Sequence, residues 1–375
     1  MSKLLNSAVR CLLGFTCVSA VTLATHAGAP FPNLKTRNVI LVTTDGLRWQ
    51  EVFGGVEAAL LNKEHGGVVK TNELRAAFLR DTPEARRAAL LPFLWRVVAQ
   101  QGQLLGNTNE GSVVRLSNDL KFSYPSYNEM LSGAPDPRID RNDYGPNPNV
   151  TVLEWLNQKP RWRGRVAAFC SWDVLAQTLN RKRSGLHVRA GWEPMTLGKL
   201  DARQALLNQL IRDTSPVFDD VVYDSFVFAA AMDYLKSRKP RVLYVMFGET
   251  DDWAHEGRYD RAMQAAHRFD DYVRRLWETV QAMPQYRNKT TLLLTTDHGR
   301  GSGLTEWKDH GRKTDGAAYI WLAALGPDTQ ALGERANTEP LTQGQVAATL
   351  AAFLGEDYCA AFPKAGRPVS DFFRR

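Results

Sequence analysis

Three stretches of the chain set carboxylates and imidazoles where apolar runs end, and these residue types hold divalent cations. Thr295-Thr296-Asp297-His298-Gly299-Arg300-Gly301 follows the apolar Leu292-Leu293-Leu294. Adjacent side chains diverge along a strand, but where the chain turns at the carboxyl end of one, Asp297 and His298 can both face a crevice. Asp45 ends Val42-Thr43-Thr44 and precedes Gly46-Leu47-Arg48, so its carboxylate reaches the same crevice if the two strands are neighbours. Phe247-Gly248-Glu249-Thr250-Asp251-Asp252-Trp253-Ala254-His255 is the third. One helical turn separates Asp251 from His255 and puts both on one face, while Asp252 competes with Asp251 as the ligand. His310, in Lys308-Asp309-His310-Gly311, is a glycine-flanked candidate for a further imidazole. Mixed nitrogen and oxygen ligation suits zinc, with manganese or iron as alternatives. Taken singly, Asp45 also reads as a helix cap and His310 as a loop residue.

A nucleophile would complete such a centre. In Lys121-Phe122-Ser123-Tyr124-Pro125-Ser126-Tyr127-Asn128-Glu129-Met130-Leu131-Ser132-Gly133, the proline followed by helix-compatible residues marks a helix start. Ser123 then lies at a positive helix terminus, which favours an alkoxide and a bound anion. The plainer reading is a capping serine.

These residues need a scaffold that brings strand ends together. Apolar, β-branched runs at Val39–Val42, Val166–Phe169, Val242–Phe247, Thr290–Thr295 and Tyr319–Leu325 alternate with helical patterns. That alternation predicts an α/β fold whose central, largely parallel sheet is sandwiched between helices. The helical candidates are Leu91–Gln101, Asp201–Arg212, Ser225–Arg238, Tyr259–Met283 and Gln343–Leu354, and in the longest of them Tyr259, Met263, Ala266, Phe269, Val273 and Leu276 form one apolar face. The proline-rich Ser132–Pro148 and the aperiodic Asn180–Lys199 read as insertions over the strand ends. A cap at about 134–220, carrying substrate selectivity, is the expectation.

With 375 residues, 44% of them hydrophobic and 23% charged, one large core is expected, and residues 30–375 read as a single domain. Residues 1–29 differ: Lys3 and Arg10 precede an apolar stretch from Cys11 to Ala24, and Ala27-Gly28-Ala29 offers a cleavage site. This is the pattern of a secretory signal peptide, which predicts a secreted or periplasmic protein with no stable membrane span after cleavage. Removing Lys3 and Arg10 takes the net charge from +7 to +5, a mild basicity compatible with anionic substrates. No basic block with interleaved aromatics suggests nucleic-acid binding. Cys170 and Cys359 remain in the mature chain, with pairing and oligomeric state left open.

In order, these pieces resemble the alkaline phosphatase superfamily, closest to its nucleotide pyrophosphatase/phosphodiesterase-like branch. The resemblance runs from Val39 to about Leu325. It is carried by Asp45 to Arg48 for an Asp-Gly-x-Arg, Ser123 to Gly133 for a Thr-Phe-Pro-Asn segment ending in Thr-Gly, Asp251 with His255, the pair Asp297 and His298, and His310. It implies an alkaline phosphatase-like fold with cap insertions and two divalent ions. Asp251, His255 and His310 would hold one ion and Asp45, Asp297 and His298 the other, with Ser123 bridging to the second as the nucleophile. Asn142 stands near where relatives place an asparagine that binds a non-bridging phosphoryl oxygen. The implied activity is hydrolysis of phosphodiesters or phosphomonoesters of a small phosphorylated substrate, through a covalent phosphoserine intermediate. Three features depart from relatives: serine replaces the usual threonine, Tyr127 stands where sulfatases carry an arginine, and Asp45-Gly46 replaces their paired aspartates. A sulfate ester hydrolase is therefore the weaker enzyme reading, and a metal-stabilised binding protein without turnover is the alternative from another class. His310 follows His298 closely, which implies a reduced cap.

Overall fold

The computed structural model describes residues 31, 33–196 and 198–374. The leader at residues 1–29 therefore lies outside the described residues. Eleven strands occur among those described: β1 (Asn38–Thr44), β2 (Gln103–Leu105), β3 (Val114–Arg115), β4 (Val166–Cys170), β5 (His187–Ala190), β6 (Val242–Phe247), β7 (Thr290–Thr295), β8 (Tyr319–Ile320), β9 (Leu322–Leu325), β10 (Gly333–Glu334) and β11 (Leu341–Thr342). Eight of them form one sheet in the order β10-β2-β9-β7-β1-β6-β4-β5, and β11-β3-β8 form a small second sheet. Within the large sheet only the pairings of β9, with β7 and with β2, are antiparallel. The expected largely parallel sheet between helices is thus present.

The central strands are apolar on both faces because helices cover both. From β1, Ile40 and Val42 point into one core, shared with the helices Asp224–Arg238 and Tyr259–Ala282. Val39 and Leu41 point into the other, against the helices Ser123–Ser132, Val152–Gln158 and Gln345–Phe353. Tyr259, Met263, Ala266, Phe269, Val273 and Leu276 are all buried, as their helical spacing requires.

Two elements differ from the sequence expectation. Tyr319–Leu325 is not one strand: β8 lies in the small sheet and β9 in the large one. Trp321 makes the break, its indole nitrogen donating to Leu47 O at 3.1 Å while its carbonyl accepts from Thr295 Oγ1 at 2.6 Å. The stretch Asn180–Lys199, expected as an insertion, supplies the edge strand β5 of the large sheet. Residues 92–101 are helical, as expected, with a π-helical turn at Leu94–Val98 running into the short helix Ala99–Gln101. Cys170 and Cys359 are both free thiols, Cys170 buried and Cys359 partly so. Among the described residues no helix is long and apolar enough to cross a membrane.

Candidate active site

β1 runs between β6 and β7, and their register brings the three carboxyl ends level: Thr44 pairs with Phe247, and Thr43 with Thr295. Residues just past these ends therefore converge, in the crevice where open α/β sheets place their ligands. Asp45 follows β1, with its amide donating to Phe247 O at 2.9 Å. Asp297 and His298 follow β7, and Asp251 and His255 sit on the short helix Glu249–His255 after β6.

Asp45, Asp297 and His298 form one group of converging ligand atoms, and Asp251, His255 and His310 another. In the first, His298 Nε2 lies 3.3 Å from Asp45 Oδ1 and 3.5 Å from Asp297 Oδ2. In the second, His255 Nε2 lies 3.0 Å from Asp251 Oδ2 and 2.9 Å from His310 Nε2. Asp251 rather than Asp252 belongs to this group; Asp252 lines the crevice with its Oδ2 buried and unpartnered among the described residues.

The donor chemistry shows what fits between these atoms. His298 Nδ1 lies 2.9 Å from Gly299 O and His310 Nδ1 lies 3.3 Å from Lys121 O. A carbonyl only accepts, so each Nδ1 carries the proton and each Nε2 turns a lone pair inward. Asp45 Oδ1 and Asp297 Oδ2 are buried and find no hydrogen-bond partner among the described residues. Acceptors that converge on one space without a donor fit a cation. The electrostatics agree: burial, then repulsion from Asp251, pushes Asp297 up to about 8, while burial and then Asp297 raise Asp45 well above the usual carboxylate range. Burial holds His310 down to about 4, which leaves it the neutral ligand form.

Ser123 is the first residue of its helix; Phe122 takes the cap position, so the serine side chain is not spent on capping. Ser123 Oγ lies 3.4 Å from His298 Nε2, beside the first group. Glu129, fully buried, accepts from the amides of Ser117 and Asn118 and fixes the loop that leads to Ser123. Asn142 Oδ1 accepts from Tyr124 N at 3.0 Å, which puts its carboxamide at the same helix start. Asp45, Ser123, Asn142, Asp251, His255 and His310 all line one crevice of about 180 Å3.

The chain from Phe122 to Ala317, residues 122–317, matches the family model of type I phosphodiesterases and nucleotide pyrophosphatases, over more than half of the protein. The protein belongs to this type I phosphodiesterase/nucleotide pyrophosphatase family. Solved structures agree on the fold. Alkaline phosphatase PafA aligns at 9% identity with a TM-score of 0.58, over 92% of this chain and 100% of that one. The phosphonate monoester hydrolase of Silicibacter pomeroyi aligns at 14% identity and a TM-score of 0.52, over 90% and 76%. A putative sulfatase from Bacteroides thetaiotaomicron aligns at 13% identity and 0.50, over 90% and 72%. Curated proteins give no match. The fold is thus alkaline phosphatase-like.

Several residues in or behind the crevice carry no conspicuous signal in the sequence. Arg300 is 1% exposed and pairs with the Asp251 carboxylate, also donating to Asp251 O at 3.0 Å. Burial raises Asp251, but Arg300 and then His255 outweigh it and hold the carboxyl well below its usual range. Its place in Asp-His-Gly-Arg was the one available signal. Gln343 donates to Asp297 O, and Trp172 and Asp220 wall the crevice. Arg48 is not in the crevice: it pairs with Glu51 and Glu57 and donates to Gly301 O at 2.9 Å, bracing the turn that carries Arg300.

Tyr127 is fully buried and donates from its hydroxyl to Asp45 Oδ2 at 3.0 Å. Tyr127→Phe keeps the ring and removes this orienting bond, so metal affinity or turnover should fall roughly 10–100-fold. Unchanged metal titrations and kcat would show that the bond does nothing for the ligand. Gly46 has φ +59°, and a Cβ there would meet Asp251 Oδ1 at 2.4 Å. Gly46→Ala should therefore cost about 1–2 kcal/mol from the left-handed backbone alone. It should also displace Asp251 and lower kcat/KM at least about tenfold by misplacing a reacting group. Thermal denaturation and metal content check the two effects.

Proposed function

We propose that the protein is a secreted, two-metal phosphohydrolase that cleaves phosphodiesters or phosphomonoesters through a phosphoseryl intermediate on Ser123. The observation that carries this reading is the Ser123 hydroxyl at a helix N-terminus, 3.4 Å from His298 Nε2 and free of any capping duty. Asp45, Asp297 and His298 would hold one divalent ion and Asp251, His255 and His310 the other, and zinc suits this donor set. Bound there, the ions would lower the hydroxyl's pKa and stabilise charge on the phosphoryl oxygens.

The chain's own residues do the rest. The positive end of the helix Ser123–Ser132 would favour the incoming anion through its dipole. Asn142 has its carboxamide oxygen engaged by Tyr124 N–H, which leaves the amide nitrogen to donate to a non-bridging oxygen. Ser123 Oγ, its proton released to solvent, attacks phosphorus as the bond to the alcohol breaks and the alcohol takes a proton from solvent; water then attacks the phosphoserine, and the serine leaves and regains its proton. The segment around 134–149, which brings in Asn142, and the segment that brings in Asp220 act in this reading as the cap over a small substrate. Secretion rests on the leader pattern of Lys3, Arg10 and the apolar stretch that follows.

Two displacements retain configuration at phosphorus. Hydrolysis of a substrate chiral at phosphorus should therefore give retention, and inversion would rule Ser123 out as nucleophile. Turnover of bis(p-nitrophenyl) phosphate, p-nitrophenyl phosphate and p-nitrophenyl sulfate by the same preparation ranks diester, monoester and sulfate ester.

A further inference from the structure

The outer edge of the large sheet carries a second constellation that shares no lining residue with the catalytic crevice. A cavity of about 230 Å3 opens beside β5, walled by Phe169, Arg181, His187, Arg189, Glu193 and Met195 among others. Two strand spacings separate β5 from β6, roughly 10 Å across the sheet.

Arg189 pairs with Phe169 in the β4–β5 register and is 2% exposed. Its Nε, Nη1 and Nη2 are all buried without a hydrogen-bond partner among the described residues. A guanidinium carries five donors in a planar fork, and burying it unmatched is among the costlier arrangements a fold can adopt. Glu193, which lines the same cavity, makes no hydrogen bond to it: its Oε2 accepts from Arg181 Nη1 at 2.6 Å. Two guanidinium groups against one carboxylate leave the cavity with an uncompensated positive charge. His187 adds none, because burial and then Arg238 lower its pKa.

We propose that this cavity binds a small oxyanion of the phosphate class, held by the fork of Arg189 with Arg181 at the entrance. A planar fork matches two oxygens of such an anion, and the charge balance favours it over a neutral ligand. The space exceeds what inorganic phosphate fills, and Phe169 and Met195 offer an apolar wall to an organic substituent. The site is independent of the hydrolytic reading, since none of its residues lies in the catalytic crevice.

The test is calorimetric titration of the metal-loaded full chain with inorganic phosphate and, separately, with the non-hydrolysable phenylphosphonate. Two sites per chain are expected, and Arg189→Met should weaken one of them at least thirtyfold while the inhibition constant of phosphate against ester hydrolysis stays unchanged. Tighter binding of phenylphosphonate at the Arg189 site would identify an organic phosphate as the occupant; equal or tighter phosphate would identify the free ion. A single site in the parent protein, or a second site that persists in Arg189→Met, overturns the proposal. Should that variant not fold, crystals of the parent soaked in selenate decide: an anomalous peak within hydrogen-bond distance of Arg189 supports the site, and a peak confined to the catalytic crevice refutes it.

Discussion

Ser123→Ala is expected to lower kcat on phosphate esters by about 10⁴-fold while leaving the fold and the metal content intact. The size follows from what remains. Alanine keeps the helix, the three aspartates and the three histidines, so the substrate still binds, but no other hydroxyl stands in for Oγ: Ser126 is fully buried and bonded to Asn118 Nδ2 at 3.4 Å. The stability cost should be small, within about 0.5 kcal/mol, because Phe122 and not Ser123 occupies the cap position and the serine side chain makes no capping bond. Ser123→Thr retains the nucleophilic atom and should keep most of the activity. Acid-quenched reactions with labelled substrate should trap a phosphorylated parent and nothing in Ser123→Ala. Activity above a tenth of the parent in Ser123→Ala would sink the covalent mechanism whatever the metal content.

The second large effect concerns the metal-free protein, which should lose stability as pH rises from about 6.5 to about 8. Asp297, ordinarily near 3.8, is pushed up to about 8 by burial and then by Asp251. Asp45 is raised well above 3.8 by burial and then by Asp297. A carboxyl whose folded value exceeds its unfolded one contributes stability that is complete below the unfolded value and is lost as pH rises through the folded value. Asp251 has the opposite sign: burial opposes its ionisation, but Arg300 and His255 hold it well below 3.8, so its contribution is lost only in stronger acid. Asp224 and Asp270, each pushed up to about 7 chiefly by burial, act in the same direction as Asp297 and Asp45. His298 and His310, lowered by burial, oppose them below the ordinary imidazole value of about 6.5, so the loss is concentrated between about 6.5 and 8. A divalent ion reverses it by compensating the charges of Asp297 and Asp45, and by mass action adds about 4 kcal/mol at a thousandfold excess over its Kd. Binding near pH 7 should also release protons. Melting curves from pH 4 to 9, in chelator and in zinc, measure the effect; parallel curves would mean that the six residues do not hold ions. Chelation should abolish ester hydrolysis over the same range.

Val39–Val42, Val242–Phe247 and Thr290–Thr295 were legible because a buried parallel strand must be apolar on both faces, and a carboxylate directly after such a run is conspicuous. The spacing of Asp251 and His255 was legible because one helical turn is a local rule. β5 was not, since Arg189 is a charged residue in a buried strand and erases the apolar signal there. Tyr319–Leu325 looked continuous because no local feature distinguishes the segment that pairs with β3 from the one that pairs with β7.

The sequence by itself determined the fold class, the order of the motifs and the residue types that could serve a two-ion centre, all of which depend on periodicities and neighbours a few positions apart. The tertiary structure alone decided that Thr43, Thr44, Phe247 and Thr295 lie level, that Tyr127 reaches Asp45 across 82 positions, and that Arg300 rather than solvent compensates Asp251 across 49. Those pairings come from strand register and the packing of two helical layers, and a contact between distant residues leaves no trace in the local spacing of either partner.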